Sequence, residues 1–235
     1  MNIFDILFPP HCISCQKITD NKSVFYKYLC SDCLRKIKIN EDDMCISCHN
    51  LTRFGKTCSS CSKNTPLNGL LVASDYKNPI LKETIHYFKY NNVKDLSLPL
   101  SWVLLKKLEE FEWKNKEEWI FVPVPLAKKR LKFRGFNQTE LLARNLAKWL
   151  NIFVSSAIIE RVKFHTPQMQ IENNQERLEN IKNSFRIVKN LDLLKIRNKR
   201  IMLVDDVSTT GATLSECAKV LKPHVKEIWG CVVAK

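Results

Sequence analysis

From residue 67 onward the chain alternates short apolar runs with longer amphipathic ones. Leu70–Tyr76 reads as a strand. Pro79–Tyr90 carries apolar residues at helical spacing, which predicts a helix opened by Pro79. Leu98–Trp113 predicts a second helix. Trp119–Val124 is a short apolar run bounded by Pro123 and Pro125, a strand that ends in a stiff loop. Asn137–Leu150 predicts a helix with Leu141, Leu142, Leu146 and Trp149 on one face. Ala157–Val162 and Ser184–Val188 read as short strands, with the polar stretch Lys163–Asn183 between them part loop and part helix. Arg200–Asp205 is a buried-type strand, Gly211–Leu221 a helix and Glu227–Ala234 a final strand. Strands alternating with helices predict an α/β fold with a mainly parallel sheet flanked by helices.

Residues 1–65 show no such period. They are polar and Cys-rich, and Asn64-Thr65-Pro66 with Asn68-Gly69 forms a turn-rich junction after them. We therefore expect two domains, 1–65 and 66–235. Eight of the ten cysteines fall between Cys12 and Cys61. They form four Cys-x-x-Cys pairs: Cys12/Cys15, Cys30/Cys33, Cys45/Cys48 and Cys58/Cys61. The opening residues lack a basic segment and include Asp5, so they do not read as an export signal. No apolar run approaches the roughly 18–20 residues of a membrane span. A cytoplasmic, reducing setting follows, where clustered thiols bind metal instead of forming disulfides. Eight thiolates make two four-thiolate zinc sites, closed and therefore structural. Joining neighbouring pairs in sequence costs less loop entropy than a cross-braced arrangement, which stays open as the alternative. His11 and His49 flank ligands, but the cysteines already suffice.

The net charge of +14 favours acidic partners. It is spread along the chain, +3 over residues 1–65 and the remainder beyond. Within the Cys-rich module, basic and aromatic residues interleave: Lys22, Phe25, Tyr26, Lys27 and Tyr28, then Arg35, Lys36 and Lys38, then Arg53, Phe54 and Lys56. That mixture suits single strands, whose phosphates meet charge while bases stack. The plainer reading is a module held together by metal because it is too small for a core.

The most informative segment is Ile201–Leu214. An apolar strand ends in Asp205-Asp206, and the small-residue loop Ser208, Thr209, Thr210, Gly211, Ala212, Thr213 opens a helix. Backbone N–H groups at a helix start cradle an anion, and the threonine hydroxyls add donors. Paired carboxylates accept from a ribose diol and can hold a divalent ion through water. Together they describe a site for a phosphorylated ribose. The Gly-Lys-Ser/Thr of a Walker loop is absent, and no nucleophile with a dedicated base is visible. Cys217 and Cys231 read as small buried hydrophobes. Between the domains' motifs, Val122-Pro-Val-Pro125 precedes a basic run of Lys128, Lys129, Arg130, Lys132 and Arg134.

The acidic strand end and its loop resemble the motif by which type I phosphoribosyltransferases bind phosphoribosyl pyrophosphate (PRPP). The whole chain from residue 8 on resembles the ComF family. The carrying residues are the four Cys-x-x-Cys pairs, Lys89-Tyr90, Val-Pro-Val-Pro, Arg130-x3-Arg-Gly-Phe-Asn-Gln138, Thr166-x-Gln168, Arg177, Asn180, Phe185 and the PRPP loop. The resemblance implies a double zinc ribbon on a type I phosphoribosyltransferase-like sheet. It implies that Asp205 and Asp206 contact ribose hydroxyls while Ser208–Thr213 hold the 5′-phosphate. It sets Arg130 and Arg134 near the pyrophosphate, with magnesium carried on PRPP. Thr166, Gln168 and Arg177 would contact PRPP from a mobile loop. The family role it implies is DNA uptake in natural transformation, handling incoming single-stranded DNA, with a DNA-uptake helicase or other competence factor as a further partner. A second hypothesis is an active magnesium-dependent transferase with an unidentified nitrogen acceptor. The zinc module occupies the place where such enzymes carry an acceptor-selecting hood, and it shows no base-recognition pattern.

Overall fold

The structure is a computed structural model and describes residues 9–19, 24–162 and 181–235. Seven strands follow along the described chain: β1 (Gly69–Ser74), β2 (Trp119–Pro123), β3 (Phe153–Val154), β4 (Ile159–Arg161), β5 (Phe185–Ile187), β6 (Arg200–Val207) and β7 (Glu227–Ala234). Five of them form one sheet in the order β1-β7-β6-β2-β3, and every neighbouring pair is parallel. β4 and β5 pair antiparallel with each other, apart from that sheet. The helices are α1 (Ser31–Arg35), α2 (Pro79–Tyr90), α3 (Ser97–Glu109), α4 (Lys128–Arg134), α5 (Gln138–Leu150) and α6 (Ala212–Leu221).

Parallel strands buried on both faces need a continuous apolar run, and Ile201–Val204 of β6 and Ile228–Ala234 of β7 supply it. Alternation sends Met202 and Val204 to one side, into a cluster with Leu100, Val103 and Leu104 of α3 and Leu142 and Leu146 of α5. Ile201 and Leu203 face the other side, against Leu214, Cys217, Ala218 and Leu221 of α6. Leu81, Ile85 and Phe88 of α2 complete the first cluster, and Ile159 and Phe185 of the β4/β5 pair join the second. Each such buried side chain is worth about 1.5–3 kcal/mol over its exposed state. Cys217 and Cys231 are buried among these residues, as expected of small hydrophobes.

The ribbons share both cores. Leu29, Leu34 and Ile37 belong to the cluster of α3, and Ile46 belongs to that of α6. The chain between the ribbons runs beside β1, where Asn40 N–H donates to Ala73 O at 2.9 Å. Lys56 forms a bridge with Gly69 further along. β1 is a sheet edge, so this strap covers groups that would otherwise invite another strand.

The stiff loop expected after the strand spans 124–127, and the basic run beyond it, for which the sequence set no element, is a helix, α4. Ala127 is extended, the lysines, arginine and leucine that follow are good helix formers, and Gly135 ends the helix at φ +70°. α5 sits rotated from its predicted face. It buries Leu142, Ala143, Leu146 and Ala147, leaves Leu141 half-buried and exposes Trp149, because the two alanines let the helix approach the sheet closely.

Candidate functional site

The eight N-terminal cysteines gather into two clusters, Cys12/Cys15/Cys30/Cys33 and Cys45/Cys48/Cys58/Cys61, with the four sulfurs of each within 4.8 Å of one another. The pairing is therefore sequential. Cys15 and Cys30 sulfurs lie 3.7 Å apart, and those of Cys48 and Cys58 3.6 Å. A tetrahedral zinc with bonds of ~2.3 Å requires sulfurs about 3.8 Å apart, so both clusters fit the metal. Cys30 N–H points at Cys12 Sγ at 3.4 Å, the knuckle geometry that favours thiolate. Burial alone would raise Cys45, yet N–H groups of Cys48, Cys58 and Ser47 bring it down to about 6. Burial and then the thiols of Cys15 and Cys30 push Cys33 up to about 12. Thiols packed this closely give up their protons together only to a cation. His49 is outside the cluster; its Nε2 lies 3.5 Å from Lys235 Nζ.

β6 delivers Asp205 and Asp206 to the carboxyl edge of the sheet, the usual ligand edge of parallel α/β folds. Asp206 is nearly buried and accepts from Lys89 Nζ at 2.7 Å and from Val207 N–H at 2.6 Å. Asp205 Oδ1 accepts Asp206 N–H at 2.9 Å. Among the described residues no cation pairs directly with Asp205. Burial and then the charge of Asp206 push its carboxyl up to about 7, offset only in part by the Asp206 N–H, Lys89 and Arg161. The loop then turns at Gly211, φ +77°, into α6. The N-cap is Gly211, which has no side chain to close the helix start, and among the described residues only Ala212 N–H is taken, donating to Thr210 Oγ1 at 3.4 Å. Thr209 and Thr210 are exposed, Ala212 and Thr213 half-buried and Ser208 buried. An open, uncapped helix start with exposed hydroxyls is built for an anion.

The second zinc knuckle reaches this loop. A Cβ on Gly211 would lie 2.6 Å from Cδ1 of Ile46, the residue after Cys45. The glycine is thus required twice, by its left-handed backbone and by the ribbon leaning on it.

Cations surround the acidic pair. Arg161, on β4, was not among the candidates. Burial, then Arg130, pull its guanidinium below the ordinary arginine range, while Cys217 and Asp205 act the other way. Its Nε is buried without a partner among the described residues, and its guanidinium lies 5.4 Å over the Phe185 ring. The signal was present in the sequence: alternation in Ile159-Glu160-Arg161 puts Arg161 on the inward face, while Glu160 pairs outward with Arg186 at 2.8 Å. Lys89 stands in the sequence only as part of the Lys89-Tyr90 pair, and the structure gives it the charge of Asp206 to hold.

Arg130 is exposed on α4. Arg134 is buried, donates to Gln138 Oε1 at 3.1 Å and lies 5.2 Å over the ring of Tyr90. Phe136 packs on Phe88 at 5.7 Å, and Thr139 donates to Val124 O at 2.7 Å. The Arg-Gly-Phe-Asn-Gln segment therefore ties α4, α2 and the Pro-rich strand end together beside Lys89. Thr166, Gln168 and Arg177 lie outside the described residues.

Comparison with known proteins agrees with this geometry. The double zinc ribbon domain matches residues 3–69 and the phosphoribosyl transferase domain residues 137–234. Competence protein F of Haemophilus influenzae is 32% identical over 98% of this chain and 98% of its own. DNA utilization protein YhgH of Escherichia coli is 28% identical over 82% of this chain and 90% of its own. Competence protein ComFC of Bacillus subtilis is 26% identical over 82% of this chain and 77% of its own. Among solved structures, a hypoxanthine phosphoribosyltransferase from Staphylococcus aureus aligns at 16% identity and a TM-score of 0.33, over 61% of this chain and 63% of that one. The parallel sheet with its acidic strand end is thus of phosphoribosyltransferase type, and it carries a double zinc ribbon. The chain belongs to the ComF family of competence and DNA-utilization proteins.

Proposed function

We propose that this protein binds PRPP with magnesium at the carboxyl edge of its sheet and handles incoming single-stranded DNA in the cytoplasm during natural transformation. The observation that carries the first part is the pairing of opposites around β6. Ser208–Thr213 offer an uncapped helix start to the 5′-phosphate. Asp205 and Asp206 offer carboxylate oxygens to the ribose hydroxyls, and Asp205 is the group available to a magnesium-bound water. Arg130, Arg161 and the edge held by Lys89 and Arg134 supply positive charge for the pyrophosphate. The DNA part is supported by the relatives' names and by the net charge of +14.

The test combines calorimetry of PRPP with magnesium and pyrophosphate release in the presence of nucleobases and ammonia. Wild type is compared with Asp205→Asn/Asp206→Asn. Saturable binding that the double variant loses supports the site; binding left intact by it overturns the assignment. Acceptor-dependent release, lost in the same variant, would extend the reading to group transfer with a nitrogen acceptor. Single-stranded DNA binding is measured across a salt series, where log K should fall linearly with log salt. Binding indifferent to salt would sink the DNA reading.

A further inference from the structure

The second ribbon ends at a cavity of about 350 Å³ that the PRPP site does not use. Trp119, Arg200 and Glu227 line it, and they open β2, β6 and β7. The phosphate loop follows the far end of β6. Eight strand residues at about 3.3 Å each separate the two places by roughly 25 Å.

The inner wall is aromatic. The Phe111 ring lies 5.0 Å from Trp229, 5.5 Å from Trp119 and 5.9 Å from Phe54. Phe54 comes from the ribbon and holds φ +56°, a left-handed conformation that is strained for a bulky side chain and persists where a site requires it. The Arg53 guanidinium covers the Phe54 ring at 4.9 Å. Lys56 and Lys114 are exposed at the rim. The two acids of the lining are engaged, Glu112 by Arg53 and Glu227 by Arg200 at 3.3 Å. Four cations against two acids leave the cavity positive. Asn68 Oδ1 accepts from Ile228 N–H at 2.8 Å, which leaves the amide nitrogen as a donor in the lining.

Flat rings, a guanidinium plane, a spare amide and a cationic rim match one ligand chemistry: an unstacked base with phosphates on either side. An apolar molecule would have no use for the cations, and an acidic peptide none for the rings. We propose that this cavity takes a single nucleobase of bound single-stranded DNA, with the flanking phosphates on Arg53, Lys56 and Lys114. The inference rests on the DNA-handling reading above and gives it a location.

The experiment titrates the zinc-loaded full chain with a short oligothymidylate while following tryptophan fluorescence and, separately, anisotropy of a labelled strand. Trp119 and Trp229 should be quenched saturably. Phe54→Ala should weaken binding about tenfold, the usual scale for one stacked base, with zinc content unchanged. Lys56→Glu/Lys114→Glu, on exposed positions, should weaken it as well and guards against misfolding of the Phe54 variant. A strand abasic at every position should bind without quenching. If wild type and both variants bind base-bearing and abasic strands alike, with normal salt dependence and no quench, the cavity assignment is wrong and the DNA reading stands. If wild type binds no strand at any salt, both fall.

Discussion

Gly211→Ala probes the join between the second zinc ribbon and the Ser208–Thr213 loop. Gly211 sits at φ +77°, where an alanine costs about 1–2 kcal/mol. Its new Cβ would also stand 2.6 Å from Ile46 Cδ1 and 3.2 Å from Cγ1. Cδ1 is the free end of a flexible side chain, so part of the overlap relaxes and about 1 kcal/mol of overpacking remains. The expected loss is therefore about 2–3 kcal/mol in all. Ile46→Val deletes the colliding atom and costs about 0.5–1.5 kcal/mol by itself. In the double variant the overpacking disappears while the backbone cost stays. Its loss should fall short of the sum of the singles by about 1 kcal/mol, beyond the ~0.3–0.5 kcal/mol scatter of independent sites. Urea unfolding in excess zinc measures all four corners of this cycle. Strict additivity would refute the contact. A loss below about 0.5 kcal/mol for Gly211→Ala alone would refute the backbone argument too.

Lys89→Met strips a nearly buried Asp206 of its cation; it should cost about 3 kcal/mol in urea unfolding, and adding Asp206→Asn should recover most of that. Burial first, then Asp206, lift the Asp205 carboxyl from 3.8 to about 7. The stability it contributes is therefore complete below its unfolded value and lost as pH rises through 7, so Asp205→Asn should flatten the pH dependence of unfolding between those limits. Magnesium and a ribose diol want the ionised form, so PRPP binding should strengthen through pH 7 with proton release, read by calorimetry in buffers of different ionisation enthalpy. Metal analysis should return two zinc ions per chain, and a strong chelator should lower the midpoint of the whole molecule, not of a separable ribbon, because Leu29, Leu34 and Ile46 lie in the two cores.

Much of this was legible in the residues, for reasons that differ by segment. Pro79–Tyr90 combines an N1 proline with strong periodicity, and the structure adds Asn78 Oδ1 accepting from Leu81 N–H at 3.0 Å, so both helix ends match the prediction. Glu227–Ala234 is an apolar run too short for a helix, and it is β7. The zinc ligands and the acidic strand end are local in sequence, so spacing alone reveals them. Lys128–Arg134 stayed without an assigned element because a charge run after prolines carries no apolar period, although α4 needs none at the surface. β3 is two residues long and holds the sheet edge only through its partner β2. Arg161 was legible only through the alternation of the short β4 strand, whereas the aromatic cavity depends on segments far apart in sequence, Phe54 against Phe111 and Trp229, so no local pattern encodes it.

The strand order also sets the timetable by which this protein can assemble on the ribosome. Among the described strands β1 pairs only with β7, and the ladder at its foot joins Asn68 to Ile228 across 160 positions. At about 5–20 residues per second, β1 waits on the order of ten seconds for its neighbour. The ribbons can fill with zinc during that wait, since each set of ligands is complete within a short stretch of chain. Their apolar residues Leu29, Leu34, Ile37 and Ile46 still lack the surfaces they rest on, because β6, α6 and β7 have yet to emerge. The nascent chain is a metal-bound head on an unpaired edge strand, and it becomes a cooperative unit only when the central strands slide into the gap.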